Sequence, residues 1–521
     1  MKFLVACSEA ARLDAAVAER AAVPPLLLME DASLRLWDVL SPLAASRGAG
    51  YSGGLVAVCG AGNNGGDALA LLRHARFSGA KRVAAILAGR LGELASIHAA
   101  SLKALGVPVL DWNGDRRSCE EILAEATLVV DGISGTGLRG RLREELSSLM
   151  DALRGGSPIA AIDLPSGLSD SFEDGFPLIS AAWTLSVEPR KACLYFPSAR
   201  ASCGEILPIV GVFPEDAATE TRAALLEAKD LDSLAPLPPE TAYKGERGRV
   251  AVFAGSAGAS GAAVLSSRAC LAAGAGIAAL FASRELYPIA ASMLDAVMVK
   301  PEPEDGAFDG ARWDSILVGP GWGKGPSRQK RLRALLDAGL PAVLDADAIN
   351  LYRELLDSGF SPSTPIVLTP HPGEFAALTG IGPELSLANP AKVLAEAAKK
   401  LKAVIALKSQ VTWIASPDGE LAVWDGMESA LGTAGSGDVL AGLAAGLLAG
   451  KAARSRLDHA APSPSDAFSS ACAAVIAHGL AGRAARRARG WFEAGHIIEE
   501  AAKILGLRVA SPAGSAQGIL P

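Results

Sequence analysis

Short runs of apolar residues alternate with helical patterns along most of the chain. In the first half the apolar runs cover residues 55–59, 82–87, 127–131 and 159–163, with helical patterns such as 93–105 between them. Alternating short strands and helices predict a parallel sheet that is covered by helices on both faces. Ligand sites in such sheets gather at the carboxyl ends of the strands, where this sequence places Gly60, Asp131 and Asp163.

The alternation stops between residues 213 and 244, where a polar stretch (214–220) and a proline-rich stretch (236–239) follow each other. We place a domain junction at about residue 220. A second series of apolar runs then begins, at 249–254, 316–319, 342–345, 366–369, 404–408 and 412–415. We therefore predict an α/β protein with domains at 1–220 and 221–508 and a C-terminal tail at 509–521. The polar segment 451–466 is predicted to be a surface loop, inserted between two helices.

Composition limits the kind of ligand. The 521 residues include 49 Lys+Arg and 56 Asp+Glu, a formal net charge of −7. A mildly acidic chain has no general attraction for nucleic acid, so an anionic ligand must be held by helix starts, a lysine or a bound cation. The sequence contains no apolar run of about 18 residues, and we predict no membrane span. Seven dispersed cysteines without a C-x-x-C pair predict buried free thiols and a cytoplasmic location.

Two glycine-rich loops, 60–67 and 435–438, each precede a helical run. Backbone N–H groups at a helix start bind anions such as phosphate, so the pair predicts two nucleotide-handling domains. Asp438 lies at the second helix start, where it can accept a proton from a substrate hydroxyl. If residues 435–438 are considered alone, the alternative interpretation is a helix cap at a tight turn.

Further motifs in the second half follow one another in a fixed order, at 244–248, 319–323, 344–350, 369–374, 435–440 and 477–482. Over residues 225–505 they resemble the ADP/ATP-dependent NAD(P)HX dehydratases of the ribokinase-like superfamily. The resemblance implies a ribokinase-like α/β domain with Asp438 as the base or a substrate contact, although His371 taken alone could be a turn histidine with satisfied hydrogen bonds. It further implies nucleotide contacts at Lys408, Ser409, Gln410, Val411, Thr412, Gly435, Ser436 and Gly437, and contacts with the hydrated dinucleotide at Ala263, Gly321, Gly323 and His371.

Three strand ends in the first half offer Asn64, Asp131, Asp163 and Ser166 to one cleft. A capped helix start and solvated loop acids are the alternative interpretation. Over residues 5–215 the pattern resembles the NAD(P)HX epimerase family, and segment 188–191 keeps that family's lysine. The resemblance implies a Rossmann-like three-layer αβα sandwich, with K⁺ held by Asn64, Asp131 and Ser166 and with Asp163 assisting proton movement at the nicotinamide-derived ring. It also implies dinucleotide contacts at Asn63, Asn64, Gly65, Gly66, Asp67, Gly135, Thr136, Gly137, Leu138, Arg139, Gly140 and Arg141.

Together the resemblances imply a metabolite repair enzyme with small-molecule substrates. The first domain would interconvert R- and S-NAD(P)HX, and the second would dehydrate the S form at the expense of ADP, which becomes AMP and phosphate. Mg²⁺ should bridge the phosphates, because an acidic protein needs a cation to gather such charge. We expect a homo-oligomer. The alternative is a small-alcohol or vitamin-precursor kinase fused to a non-catalytic dinucleotide-binding domain, since the ribokinase-like fold permits both.

Overall fold

The structure, a computed structural model, describes residues 2–20, 22–214, 223–303 and 308–507. It divides into two compact units, one built mainly from Phe3–Ala224 and the other mainly from Leu225 onward; the short segment Leu387–Pro390 belongs to the first. The junction predicted near residue 220 and the predicted tail at 509–521 lie outside the described residues.

Up to residue 225 the described residues form nine strands and seven α-helices. The strands are β1 (Lys2–Leu4), β2 (Gly54–Cys59), β3 (Val83–Leu87), β4 (Val109–Asp111), β5 (Ala126–Gly132), β6 (Ile159–Ile162), β7 (Trp183–Val187), β8 (Glu205–Ile209) and β9 (Ala223–Leu225). The helices are α1 (Cys7–Arg20), α2 (Pro25–Ser46), α3 (Asn63–Phe77), α4 (Glu93–Ala104), α5 (Arg116–Ala124), α6 (Ser147–Leu153) and α7 (Pro197–Arg200), with 3-10 turns at Glu144–Leu146, Ala192–Tyr195 and Ala201–Cys203.

The sheet of the first unit has the strand order β4-β3-β2-β5-β6-β7-β8, and all its neighbours pair in parallel. Side chains of a strand alternate between its two faces. On β2, Leu55 and Ala57 pack into a core shared with α2, α3 and α4, while Val56 and Val58 pack into a second core shared with α5 and α6. These two cores make the unit a three-layer αβα sandwich, and the predicted parallel sheet is confirmed.

From residue 228 the chain forms a second strand–helix series. Its strands are β10 (Arg249–Phe253), β11 (Ile277–Ala282), β12 (Met298–Pro301), β13 (Ser315–Val318), β14 (Ala342–Leu344), β15 (Ile366–Leu368), β16 (Val404–Leu407), β17 (Val411–Ala415) and β18 (Leu421–Asp425). Its helices are α8 (Leu231–Leu234), α9 (Ser260–Ala272), α10 (Tyr287–Met293), α11 (Pro326–Leu336), α12 (Asp347–Asp357), α13 (Pro372–Thr379), α14 (Pro383–Ala388), α15 (Pro390–Leu401), α16 (Ser436–Leu457), α17 (Pro464–Arg489) and α18 (Ala494–Gly506), with 3-10 turns at Ala228–Asp230, Gly310–Arg312 and Ser429–Leu431.

From residue 249 onward, the described strands of the second sheet have the order β18-β17-β16-β15-β14-β13-β10-β11-β12. Strands β10 to β16 pair in parallel, and β16, β17 and β18 pair antiparallel. Helix α16 is buried along most of its length. A Cβ on Gly442 would lie 2.3 Å from the Ser266 carbonyl oxygen of α9, so glycine at this position lets the two helices approach closely.

The prediction of a loop over 451–466 is wrong. Helix α16 continues to Leu457 and α17 begins at Pro464, which leaves only residues 458–463 between them. The polar side chains that suggested a loop instead serve the helices, because Lys451 donates to Ser469 Oγ at 2.7 Å and Arg456 pairs with the buried Asp314 at 2.8 Å. Pro464 fits the first turn of a helix, where its missing N–H costs nothing.

The seven cysteines are all free and buried, as predicted. Among the described helices, none is both long and apolar enough to cross a membrane.

Candidate active sites

A cavity of about 950 Å³ lies at the strand ends of the first unit. Its wall includes the loop after β2, the loop after β5 and the residue after β6, the positions at which sequence patterns placed a ligand site. Of the predicted residues, Asn63, Asn64, Asp67, Gly135, Thr136, Gly137, Leu138 and Asp163 line this cavity.

Two glycines keep this edge of the sheet compact. A Cβ on Gly60 would lie 1.9 Å from the Ile133 carbonyl oxygen, and a Cβ on Gly65 would lie 2.0 Å from the Gly60 carbonyl oxygen. Gly65 and Gly66 are buried in the first turn of α3, so of the predicted set these two act through the backbone. Gly62, at the helix start, gives no side-chain cap to α3, whose first N–H groups remain available to an anion.

Arg139, Gly140 and Arg141 are not among the residues that line the cavity in the described chain. The Arg139 guanidinium donates to carbonyl oxygens of its own loop, at 3.2 Å to Thr136 and 3.3 Å to Leu138. The Gly140 N–H donates to Ser171 Oγ at 2.9 Å. Both residues therefore brace the loop that carries the lining residues.

Asn64, Asp131 and Ser166 come together beside the cavity, as predicted from their strand ends. The Ser166 hydroxyl donates to Asp131 Oδ1 at 2.6 Å and the Ser166 N–H to Asp131 Oδ2 at 2.8 Å. Asn64 Nδ2 donates to the carbonyl oxygens of Ser134 at 2.9 Å and Ile162 at 2.8 Å. Burial raises the pKa of the Asp131 carboxyl, and the hydrogen bonds from Ser166 and Ile133 oppose this only in part.

These residues fit a hard cation such as an alkali ion. The carboxylate of Asp131 is fully buried, and Ser166 and Ile133 contact it with neutral hydroxyl and N–H groups, so its charge is costly and a bound cation would offset that cost. The carboxylate of Asp131, the hydroxyl of Ser166, the amide oxygen of Asn64 and the nearby carbonyls offer oxygen, which suits alkali and alkaline-earth ions.

Asp163 faces the same cavity in a buried ion pair. Its Oδ1 accepts from Lys191 Nζ at 2.5 Å and from the Val187 N–H at 3.1 Å. The backbone of Asp163 has a φ of +63°, a strained value for a residue with a side chain. Lys191 also donates to the Val187 carbonyl at 2.8 Å, and both charged side chains line the cavity.

Lys191 was not among the predicted site residues. Its segment matched the epimerase pattern, but nothing in the sequence places residue 191 beside Asp163. The structure does so through a parallel bridge between Val5 and Lys191 and through β7, which ends just before the segment.

In the second unit the site forms at the start of α16. Gly435 caps this helix with a φ of +86°, a conformation that glycine adopts without strain. A Cβ on Gly437 would lie 3.3 Å from Lys408 Nζ, so the lysine reaches the helix start from the end of β16. N–H groups and an ammonium converge here, which is the arrangement that binds phosphate.

Three carboxylates surround that lysine. Lys408 Nζ donates to Asp345 Oδ1 at 2.8 Å and lies 3.9 Å from Glu374 Oε2, while Thr369 Oγ1 also donates to Asp345. Burial lowers the pKa of Lys408, but the carboxylates of Asp345, Glu374 and Asp438 together raise it above its ordinary value. Burial, with the charges of Asp345 and Glu374, raises the pKa of Asp438 to about 6, although Lys408 opposes the shift.

A carboxyl group with that pKa is suited to general-base catalysis near neutral pH. The sequence motifs contained Asp345 and Glu374, but the sequence assigned a role to neither. The negative charges of Asp345 and Glu374 both raise the pKa of Asp438.

The other predicted residues of this half lie on neighbouring loops. His371 caps α13, where its Nδ1 accepts from the Gly373 N–H at 3.0 Å and its Nε2 lies 3.6 Å from Glu374 Oε1, although the side chain as a whole is exposed. Gly321 and Gly323 follow β13 with positive φ, and Ala263 is buried in α9 against Gly255. Ser409 and Gln410 lie in the turn from β16 into β17, and Val411 and Thr412 are the first two residues of β17.

His478 is a further residue that the motifs included without a role. Its Nε2 lies 3.0 Å from Ser436 Oγ and 3.0 Å from the Ser436 carbonyl oxygen, under the phosphate-type loop. Burial lowers the pKa of His478 to about 4, so the imidazole is neutral at physiological pH. We infer that it positions Ser436.

Two family models match the chain. Residues 26–193 match the YjeF-related protein N-terminus, and residues 250–503 match NAD(P)H-hydrate dehydratase. Among solved structures, the ADP/ATP-dependent NAD(P)H-hydrate dehydratase from Bacillus subtilis superposes with a TM-score of 0.45 at 24% identity, covering 54% of this chain and 97% of that one.

Several relatives match along nearly their full length. A bifunctional NAD(P)H-hydrate repair enzyme of Moorella thermoacetica is 31% identical over 94% of this chain and 93% of its own. One from Gloeobacter violaceus is 34% identical over 86% and 89%, and one from Escherichia coli is 31% identical over 81% and 79%. With both sites present and both halves matched, the chain belongs to the family of bifunctional NAD(P)H-hydrate repair enzymes.

Proposed function

We propose that the chain repairs hydrated NAD(P)H with two separate sites, an epimerase in the first unit and a nucleotide-dependent dehydratase in the second. The proposal rests on the presence of two domains in one chain, which match the two steps of one repair route. Each domain has a site at its strand ends with the charged groups that its reaction needs. The kinase alternative makes the cavity of the first unit a non-catalytic dinucleotide-binding site, and it leaves the ion pair of Asp163 and Lys191 in that cavity without a chemical role.

In the first unit we assign the proton transfer to Lys191, with Asp163 as its partner. Epimerisation breaks the bond between the ring carbon and its hydroxyl and re-forms that bond on the opposite face. The Lys191 ammonium delivers a proton as the hydroxyl leaves as water, and the amine takes a proton back as water returns. Asp163 fixes the position of the amine and compensates the positive charge of its protonated form.

Asn64, Asp131 and Ser166 would hold K⁺ at the edge of this cavity. A resident cation would supply positive charge close to the phosphates of the dinucleotide and hold the loop after β5 against the start of α3. The remaining binding groups are the chain's own: the N–H groups at the α3 start and the backbone of residues 135–138.

In the second unit Asp438 removes the proton from the hydroxyl of S-NAD(P)HX as that oxygen attacks the terminal phosphate of ADP or ATP. The phosphorylated oxygen is then a good leaving group, and elimination restores the reduced nicotinamide ring. Lys408 and the N–H groups of the α16 start balance the phosphate charge, and Mg²⁺ bound with the nucleotide would add to that balance.

The buried free thiols support a reducing compartment, consistent with the cytoplasmic location that the sequence predicts. The homo-oligomeric state stays a prediction.

Lys191→Met tests the assignment in the first unit. We expect epimerisation to slow by about 10²- to 10⁴-fold, because a positioned proton donor is lost, while dehydration of S-NAD(P)HX is unchanged. Lys103→Met, at an exposed position of α4, is the matched control. An unchanged rate of epimer exchange in Lys191→Met would show that the lysine only compensates the charge of Asp163.

A further inference from the structure

Two cysteines that are 186 residues apart in the sequence meet in the first unit. Cys7 Sγ and Cys193 Sγ lie 3.5 Å apart, and both side chains are fully buried. The bridge between Val5 and Lys191 explains the meeting, since each cysteine lies two residues after one member of that parallel pair. Hydrogen bonds from Val5 N to Arg190 O and from Ala192 N to Val5 O, both 2.9 Å, fix the register.

A carboxylate completes the group. An Asp170 oxygen lies within 4.8 Å of both sulfur atoms, and Asp170 Oδ2 also accepts weakly from the Ser8 N–H at 3.4 Å. Asp170 is half-buried, whereas the two thiols are enclosed. The cluster therefore has a buried sulfur side and one side open to solvent, through which an ion can enter and where water can fill a remaining position.

We propose that Cys7, Cys193 and Asp170 form a binding site for a thiophilic divalent cation, Zn²⁺ in particular. Two thiolates on one tetrahedral zinc, at a zinc–sulfur distance of about 2.3 Å, have their sulfur atoms about 3.8 Å apart, close to the observed 3.5 Å. Two sulfur ligands select a borderline or soft ion over K⁺ or Mg²⁺, so this site is chemically distinct from the oxygen cluster around Asp131.

Binding has a defined proton balance. Without metal the pKa of Cys193 is well above its ordinary value, because burial disfavours the thiolate and the neighbouring Cys7 adds to that effect. Zn²⁺ binds the thiolates, so each of the two thiols loses its proton. Affinity should therefore rise about 100-fold per pH unit, since two protons leave for each ion bound.

The site links two elements. Cys7 begins α1, several of whose residues line the epimerase cavity, and Cys193 lies in the 3-10 turn that follows Lys191. A bound ion would tie these elements together, so Zn²⁺ should raise the unfolding temperature of the first unit.

The test is a titration of the full-length protein, kept reduced with a phosphine and freed of metal by a chelator, with Co²⁺ and Zn²⁺. We expect one Co²⁺ to bind per chain with a sulfur-to-metal charge-transfer band, and Zn²⁺ to displace it. The affinity for the metal should rise about 100-fold per pH unit. Cys7→Ser and Cys193→Ser should each weaken binding by at least about 100-fold and remove the thermal shift. Cys270→Ser, a buried free thiol elsewhere in the chain, is the matched control and should bind like wild type.

Asp170→Asn keeps both sulfur atoms and a half-exposed site, so it tests the carboxylate even if the serine variants fold poorly. It should bind more weakly and retain the sulfur band. The proposal is overturned if Asp170→Asn and Cys193→Ser both bind Co²⁺ as wild type does, or if the band is missing in wild type. A Cys7–Cys193 disulfide in protein prepared from a reducing lysate would also overturn it, because the pair would then be a redox couple.

Discussion

Asp438→Asn should abolish dehydration and at the same time make the second unit more stable. The substitution keeps the size of the side chain and removes its charge. In the wild type, burial and the charges of Asp345 and Glu374 raise the pKa of Asp438 from 3.8 to about 6. The folded state therefore binds this proton more tightly than the unfolded chain does, and ionising Asp438 costs stability.

The size of the effect follows from that shift. A change of about 2 pKa units at 1.36 kcal/mol each gives a penalty of about 3 kcal/mol above pH 6, falling to roughly half of that at pH 5. The wild type thus loses stability as pH rises through this window, and Asp438→Asn does not. We expect the unfolding temperature of the variant to exceed that of wild type by several degrees at pH 8 and by less at pH 5.

Asp345→Asn is the matched control. It makes the same chemical change, but we expect it to lower the stability of the second unit. Asp345 pairs with the largely buried Lys408 at 2.8 Å, and removing one member of a buried pair costs about 3–5 kcal/mol. Scanning calorimetry of the full-length variants between pH 5 and 8 makes the comparison. The reasoning is refuted if Asp438→Asn is less stable than wild type at pH 8, or if its advantage does not depend on pH.

Three further predictions concern the two reactions. The kcat/KM of dehydration should fall about tenfold per pH unit below pH 6, because protonated Asp438 cannot act as a base; a flat profile between pH 4.5 and 6 would contradict this. Gly135→Ala should slow epimerisation at least about tenfold, because its Cβ would lie 2.7 Å from the Asn64 side chain. Gly137→Ala is the control and should keep the wild-type rate, because its Cβ would meet nothing within 4 Å. Equal rates for the two variants would argue against the Asn64 contact. Asn64→Ala should show an epimerisation defect that shrinks as K⁺ is raised, and a defect independent of K⁺ would remove Asn64 from the cation site.

The sequence predicted the parts of each site that depend on strand ends. In a parallel sheet the carboxyl ends of neighbouring strands lie at one edge, so Asn64, Asp131 and Ser166 could be grouped without coordinates. The glycine loop before α16 was likewise visible, because only a tight turn into a helix explains glycine, serine and aspartate in that order.

What the sequence could not supply was contact between segments that no strand order brings together. Cys7 reaches Cys193 through the bridge between Val5 and Lys191, which involves a single residue pair and leaves no periodic pattern. The same bridge, together with the end of β7, places Lys191 beside Asp163. The helical ends within 451–466 were missed because charged residues at helix termini resemble a loop by composition. Their partners, such as Asp314 for Arg456, are far away in the sequence.

The central claim is that one chain holds two sites, each performing one step of the same repair. The direct measurement incubates wild type, Asp163→Ala and Asp438→Asn separately with a mixture of R- and S-NADHX, in the presence of excess nucleotide, K⁺ and Mg²⁺. Chromatography then follows the amounts of both epimers and of NADH over time. Wild type should convert the whole mixture to NADH. Asp163→Ala should stop near the S fraction and then proceed at the spontaneous epimerisation rate, whereas Asp438→Asn should form no NADH but still equilibrate the epimers. The account is contradicted if Asp163→Ala consumes both epimers as fast as wild type, or if Asp438→Asn produces NADH at a near-normal rate.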